Sequence, residues 1–364
     1  MNVFIRVDAS TDIGIGHVMR CLTLARKLRK QGNLVSFICR EHTGHLCDFI
    51  EINGYKVLRL PASQVNLKII NYTKHSKWLG VPLSVDATQT KNLLKKGFVD
   101  LLIVDHYAIN EVWEGSLREV VNKILIIDDL ADRKHDCDVL IDQNYFEDYP
   151  TRYHSLVPPH CKTFLGPSYV LLRDEFYDQW SEQEIRSGSV KRILIFFGGI
   201  DQTNETGKAL ATFLKLNRND IQVDVVVGQN NLHKKELASI CKQYNFLNFH
   251  CQVANIAELM CQADLSIGAG GTTTWERCFL SLPSIVWSIA DNQVEICKTL
   301  SRKKIIKYLG EKETLEQTFL TQQLENLIEN EVERYEMSRL SYLLMKDNIV
   351  KHQSMIQQIT RLED

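Results

Sequence analysis

Residues 2–32 read NVFIRVDASTDIGIGHVMRCLTLARKLRKQG, and their order decides the fold class. NVFIRVD is a short apolar run rich in β-branched residues, as a strand requires. Beyond the glycines, Val18, Cys21, Leu22, Leu24, Ala25 and Leu28 recur at helical spacing, and Gly32 stops the helix. Strand, glycine turn and helix in this order open a doubly wound α/β sheet.

The same grammar continues outward. LVSFICR (34–40) and YKVLRL (55–60) read as strands flanking the helix HLCDFIEING (45–54). VDLLIVDHY (99–107) and KILIIDD (123–129) are nearly continuous apolar runs, suited to parallel strands buried on both faces. DVLIDQN (138–144) and TFLGPSY (163–169) complete a first domain, expected over 1–177. The polar stretch DQWSEQEIRSGSVK (178–191) reads as a linker. The pattern then restarts with RILIFFGGID (192–201), IQVDVVVG (221–228), LNFHCQV (247–253), ADLSIGAGG (263–271) and SIVWSIA (284–290), with helical segments between them. A second domain is expected over 192–345 and a terminal helix over 346–364, the region beyond about Leu315 being all-helical and charged. Two such domains leave a cleft at the carboxyl ends of their strands, where open α/β sheets bind ligands.

Composition narrows the function. The 364 residues are 44% hydrophobic and 24% charged, with a net charge of -2, so no broad basic surface for nucleic acid is expected. The ten cysteines form no C-x-x-C pair and no zinc-type spacing, and read as reduced, buried thiols of a cytoplasmic protein. MNVFIRVDAS enters a strand at once, unlike a secretion signal. No apolar run is long enough to insert in a membrane, and the absence of an apolar surface stripe predicts a monomer.

Four motifs carry candidate chemistry. GIGH (14–17) places His17 at the mouth of a helix whose free N–H groups suit an anion; it is not the G-x-G-x-x-G dinucleotide pattern. A helix N-terminus disfavours imidazolium, so a neutral ring is expected there, able to take a proton from water. Asp8 and Asp12 are near enough in sequence to orient the ring or a hydroxyl; the alternative is that the glycines only make a turn and His17 only caps the helix. In SIGAGGTTTWERC (266–278), glycines and threonines opening a helix suit a pyrophosphate, with Glu276 about where a ribose would lie. The alternative is a capping box from Thr273 to Glu276. FFGGIDQTN (196–204) is a second glycine turn, with Gly198 and Gly199 able to approach phosphate. Finally, strand ends carry Asp105, His106 and Tyr107; Asp128, Asp129, Asp132 and Arg133; and Asp142, Gln143, Asn144 and Tyr145. Metal ligation, sugar hydrogen bonds and helix capping all stand as readings of these. Arg173 suits a phosphate, or an ion pair with Asp174 or Glu175.

GIGHVMRC, WLGVPLSVDATQT, VDHY, IDDLADR, DQN, GPSYVLLRDEF, FFGGIDQTNET and GGTTTWERCFLSLPSIVWSIADNQ, in this order over residues 1 to about 300, together resemble the UDP-2,4-diacetamido-2,4,6-trideoxy-β-L-altropyranose hydrolases of pseudaminic acid biosynthesis. The second half also resembles the nucleotide-binding half of the UDP-N-acetylglucosamine transferase that makes lipid II. The resemblance implies a GT-B fold, two Rossmann-like domains with the sugar nucleotide between them and C-terminal helices, and hydrolysis releasing UDP without metal or cofactor. It implies His17 as the catalytic base. Gly270, Gly271, Thr272, Thr273 and Glu276 would hold the diphosphate and ribose, Val253 and Ile256 the uracil, and Gly198 and Gly199 would lie alongside. Asp12, Gly14, Gly16, Asp105, Tyr107, Asn144, Arg173, Asn292 and Gln293 would line the sugar. The family's pattern has a serine near position 200, where this chain has Ile200.

Overall fold

Apolar runs buried on both faces pair side by side, and every strand pairing is parallel. The structure, a computed structural model, describes residues 1–62, 73–95, 97–180 and 185–360. Residues 181–184 of the expected linker and 361–364 of the expected terminal helix lie outside the described residues.

Two compact units divide the chain. Unit 1 comprises Met1–Asn144, Asp148–Leu171 and Val350–Asp364; unit 2 comprises Tyr145–Glu147 and Leu172–Ile349. The strands of unit 1 are β1 (Asn2–Val7), β2 (Leu34–Arg40), β3 (Lys56–Leu60), β4 (Leu101–Asp105), β5 (Lys123–Ile127), β6 (Val139–Asp142) and β7 (Lys162–Leu165), in the order β3-β2-β1-β4-β5-β6-β7. Helices α1 (Gly16–Lys30), α2 (Cys47–Ile52), α3 (Leu83–Leu94) and α4 (Glu111–Leu117) accompany them. Unit 2 begins with α5 (Asp174–Trp180). Its sheet, β8 (Arg192–Phe196), β9 (Gln222–Val227), β10 (Leu247–Cys251), β11 (Leu265–Ala269), β12 (Ser284–Ser288) and β13 (Lys307–Glu311), runs β10-β9-β8-β11-β12-β13. Helices α6 (Glu205–Leu214), α7 (Lys234–Cys241), α8 (Ile256–Gln262), α9 (Thr273–Phe279), α10 (Asp291–Arg302), α11 (Gln317–Glu329) and α12 (Glu331–Met345) surround it. The last helix, α13 (Asn348–Thr360), returns Met355, Ile356 and Ile359 to the core of unit 1 beside Val3, Leu24 and Phe37.

Each sheet therefore has one switch point, between β1 and β4 in unit 1 and between β8 and β11 in unit 2. Connections leave in opposite directions there, so the two strand ends open a crevice. The glycine turns of the sequence follow three of these four strands: Gly14 and Gly16 follow β1, Gly198 and Gly199 follow β8, and Gly270 and Gly271 follow β11.

Beneath the unit 1 switch point lies a buried ionic cluster. Arg6 donates to both oxygens of Asp8 at 2.6 and 2.8 Å and to Asp86 at 2.8 Å; Arg40 and the Trp113 indole also donate to Asp86, at 2.6 and 2.9 Å. Burial acts to raise the Asp8 and Asp86 carboxyls, but the arginines beside them hold both below the usual carboxylate range. Such a carboxylate stabilises the fold above its unfolded value of about 3.9, and that stabilisation is lost as pH falls through the depressed folded value. The melting temperature is expected to hold, as far as these groups decide it, down to about pH 4 and to drop below it. A melting temperature that climbs on acidification below that point contradicts the sign.

Candidate active site

The turn after β1 is built on Ser10, whose hydroxyl accepts the N–H groups of Asp12 and Ile13 at 3.1 and 2.9 Å, while Gly14 N–H donates to the Ser10 carbonyl at 2.9 Å. Gly14 has φ +79°, which a side chain would strain. The turn delivers His17 to the first turn of α1, and Asp105 closes β4 next door. His17 Nδ1 lies 2.6 Å from Asp105 Oδ1. In the neutral ring this fixes the proton on Nδ1 and leaves Nε2 as the acceptor; among the described residues Nε2 has no hydrogen-bond partner. The ring is 9% exposed and stands edge-on to Tyr107, with centroids 4.6 Å apart.

Arg20, one turn along α1 on the same face, grips Asp105 from Nε and Nη2 at 2.5 and 2.6 Å and reaches Asp129 from Nη1 at 2.5 Å. Burial tends to raise the Asp105 carboxyl, but Arg20 and His17 outweigh it and the net direction is down, so Asp105 is a carboxylate at neutral pH. Asp129 accepts from Tyr107 Oη at 2.6 Å and Asn144 Nδ2 at 2.9 Å. Trp78 stacks on Tyr107 at 5.6 Å, and His75 lies 4.4 Å from Trp78. The structure thus gathers His17, Asp105, Tyr107 and Asn144 around the strand-end carboxylate Asp129 and one residue the motifs did not select, Arg20, with an aromatic wall from Trp78 and His75. Spacing offered one signal, Arg20 three residues after His17.

Other expectations resolve differently. Asp8 does not orient the histidine: both its oxygens bind Arg6, and it also accepts the Arg40 N–H at 2.7 Å. Asp128 accepts the N–H groups of Leu130 and Ala131 and the Tyr153 hydroxyl, and Asp142 binds Arg152 at 2.9 Å. Those two carboxylates hold loops. Asp12 and Gly16 are exposed on the turn. Among the described residues, no group of three His, Cys, Asp or Glu side chains is arranged to hold a metal ion.

In unit 2, Gly270 follows β11 so closely beside Cys297 Sγ that a Cβ would overlap it. Its N–H donates to the Trp287 carbonyl at 3.2 Å, so the N–H groups left for an anion belong to Gly271, Thr272 and Thr273. Thr272 precedes α9 and makes no side-chain cap. The Glu276 carboxylate does not fold back as a capping box but meets Arg173 Nη2 at 3.1 Å, and Arg173 Nη1 meets Glu175 at 3.1 Å. Ile256 opens α8 and is buried, and Val253 is half-buried on the preceding loop. Gln293 Oε1 accepts the Ile289 N–H at 3.0 Å, its amide lying by Gly271, and Asn292 is exposed. After β8, Gly198 has φ +96°. Asp201 takes the N–H groups of Glu205 and Thr206 at 2.9 and 2.8 Å, so the start of α6 is capped by the chain itself. Ile200 is half-buried.

Residues 192–359 match the glycosyltransferase family 28 C-terminal domain. The UDP-2,4-diacetamido-2,4,6-trideoxy-beta-L-altropyranose hydrolase of Campylobacter jejuni is 29% identical over 304 residues, 83% of this chain and 97% of that protein. This chain is similar to that hydrolase over most of both sequences. An uncharacterized protein of Methanocaldococcus jannaschii, MJ1062, is 30% identical over 79% of this chain, but the chain spans only about half of that relative, 55%. Among solved structures, MurG of Acinetobacter baumannii superposes with a TM-score of 0.65 over the whole of both chains at 15% identity. The fold of this chain is accordingly GT-B, and its two parallel sheets are the two Rossmann-like units of that fold. No helix among its described residues is long and apolar enough to cross a membrane.

Proposed function

We propose that this chain hydrolyses UDP-2,4-diacetamido-2,4,6-trideoxy-β-L-altropyranose to UDP and 2,4-diacetamido-2,4,6-trideoxy-L-altrose, as a cytoplasmic monomer in pseudaminic acid biosynthesis. One observation carries the mechanism: a histidine with Asp105 on Nδ1 and an unengaged Nε2. Water attacks the anomeric carbon; its proton passes to Nε2 as the new C–O bond forms. The old C1–O bond breaks and its electron pair leaves on the β-phosphate of UDP. No side-chain nucleophile takes part, so the product is inverted at C1. Arg20 and Asp129 hold Asp105, and Asp105 holds the ring. Asp12, Gly14, Gly16, Tyr107, Asn144, Asn292 and Gln293 are assigned to the sugar.

Unit 2 holds the nucleotide in this reading. The N–H groups of Gly271, Thr272 and Thr273 receive the diphosphate, Glu276 the ribose hydroxyls, and the loop from Val253 the uracil, with Gly198 and Gly199 alongside. Arg173 then has two partners to choose from: Glu276 in the free protein, and substrate once the ribose engages Glu276. A Glu276→Ala variant is expected to raise KM by at least tenfold with kcat within a few-fold, because a contact made equally to ground and transition states is lost. An unchanged KM in steady-state kinetics removes Glu276 from the site.

A second reading, transfer of the sugar to an acceptor, is favoured by the glycosyltransferase family 28 match over residues 192–359. Incubation of the chain with a panel of UDP-diacetamido sugars and no acceptor separates the two. Equimolar UDP and free inverted sugar, read by NMR and mass, supports hydrolysis. UDP release only on addition of an acceptor supports transfer.

A further inference from the structure

Arg277 sits in α9, 1% exposed, directly behind the turn that follows β11. Its Nη2 donates to the Ala269 carbonyl at 2.7 Å and to Thr274 Oγ1 at 3.0 Å. Its Nε and Nη1 are buried and have no hydrogen-bond partner among the described residues. Gly268 is what lets the guanidinium in, since a Cβ there would be forced against Nη1.

Among the described residues, no carboxylate pairs with this cation. Glu276, the preceding residue, gives its carboxylate to Arg173. The two other acidic groups nearby are thiols, and burial pushes Cys278 up to about 11 and Cys297 up to about 12, so both are uncharged at neutral pH. Two other arginines of the same unit, the half-buried Arg186 and the buried Arg334, place more of their donors on carbonyls. Arg186 donates to four carbonyls, those of Met260, Cys261, Ala263 and Leu280, and Arg334 to those of Leu327, Ile328 and Gly188. A buried, uncompensated charge is among the costlier features a fold can carry. It persists where something outside the fold completes it.

We infer that Arg277 is the countercharge for an anion held at Gly271–Thr273, and that the anion is the diphosphate of a nucleotide. This rests on the reading above that UDP binds unit 2. The guanidinium does not touch the phosphates. It acts from behind Ala269 through the poorly screened interior, as a positioning residue whose effect scales with the charge on the ligand. It takes the electrostatic part that a divalent cation plays in other diphosphate sites.

Three ligands of one scaffold, uridine, UMP and UDP, are titrated by calorimetry into the unaltered chain and into Arg277→Met, Arg277→Gln and Arg277→Lys. The Met variant removes the charge and keeps the length; the Gln variant also keeps an amide to donate to Ala269, in case Met does not fold. Loss of UDP affinity by tenfold or more, a smaller loss for UMP, none for uridine, and recovery in the Lys variant are expected. Without ligand, the neutral variants are expected to melt at or above the temperature of the unaltered chain, opposite to a residue that merely supports the fold. UDP affinity within threefold of the unaltered chain in a folded neutral variant, or equal losses for uridine and UDP, overturns the inference alone. Failure of the unaltered chain to bind UDP overturns it together with the reading beneath it.

Discussion

A His17→Ala variant is expected to bind UDP as the unaltered chain does and to lose turnover by on the order of 10²–10⁴-fold, the usual worth of a positioned general base. The magnitude follows from the geometry: Nε2 is the ring nitrogen left without a partner among the described residues, and Asp105 at 2.6 Å fixes which nitrogen that is. Asp105→Asn separates orientation from bulk. An amide can still bond Nδ1, but it can do so as a donor, which places the proton on Nε2 and removes the acceptor. That variant is expected to lose kcat with UDP affinity retained. Single-turnover UDP release with parallel UDP titration measures both quantities. A His17→Ala kcat within threefold of the unaltered chain would take the imidazole out of the reaction.

The largest loss of stability is expected at Asp86, in the buried ionic cluster beneath the unit 1 switch point. Its carboxylate is fully buried and accepts from Arg6, Arg40 and Trp113. In Asp86→Ala, Arg6 keeps Asp8, but Arg40 is left as a buried cation with no carboxylate of its own among these partners. Breaking one side of such a cluster costs about 3–5 kcal/mol, a large share of a typical domain's stability. Denaturant unfolding followed by fluorescence measures it, with Glu336→Ala as the control: its pairing with Arg339 is exposed, and exposed pairs contribute little. Equal unfolding midpoints for the two variants would show that the cluster is not a stabilising unit.

Much of the architecture was legible along the chain. LVSFICR coincides with β2, and the runs VDLLIVD, KILIID and RILIFF contain β4, β5 and β8. A strand buried on both faces must be apolar at nearly every position, so it announces itself without reference to its neighbours. What escaped notice was amphipathic or marginal. α10 buries only Ile296, Cys297, Thr299 and Leu300 of its twelve residues. β13, KYLGE, is half-exposed at the edge of its sheet, carries a glycine and slips register against β12. The apolar residues of α10 do share one face, but they are few among polar and charged neighbours, and β13 shows no alternation that stands out from polar loop.

The candidate site divides along the same line. That a histidine follows a glycine turn, and that a carboxylate ends an apolar strand, are local facts present in GIGH and VDHY. That Asp105 rather than Asp8 meets His17 is not local. The two lie 88 residues apart and meet because β4 pairs with β1 at the point where the strand order reverses, while Asp8, nearer in sequence, is held by Arg6. The same holds for Arg277. WERC reads as a helix with a basic residue, and only packing behind Gly268 makes that residue a buried cation with two donor nitrogens left unpaired among the described residues. Composition and spacing set which segments are strands and helices, since burial and hydrogen bonding act along the chain. Which charges neutralise one another depends on strand order and packing, which bring together residues far apart in the sequence.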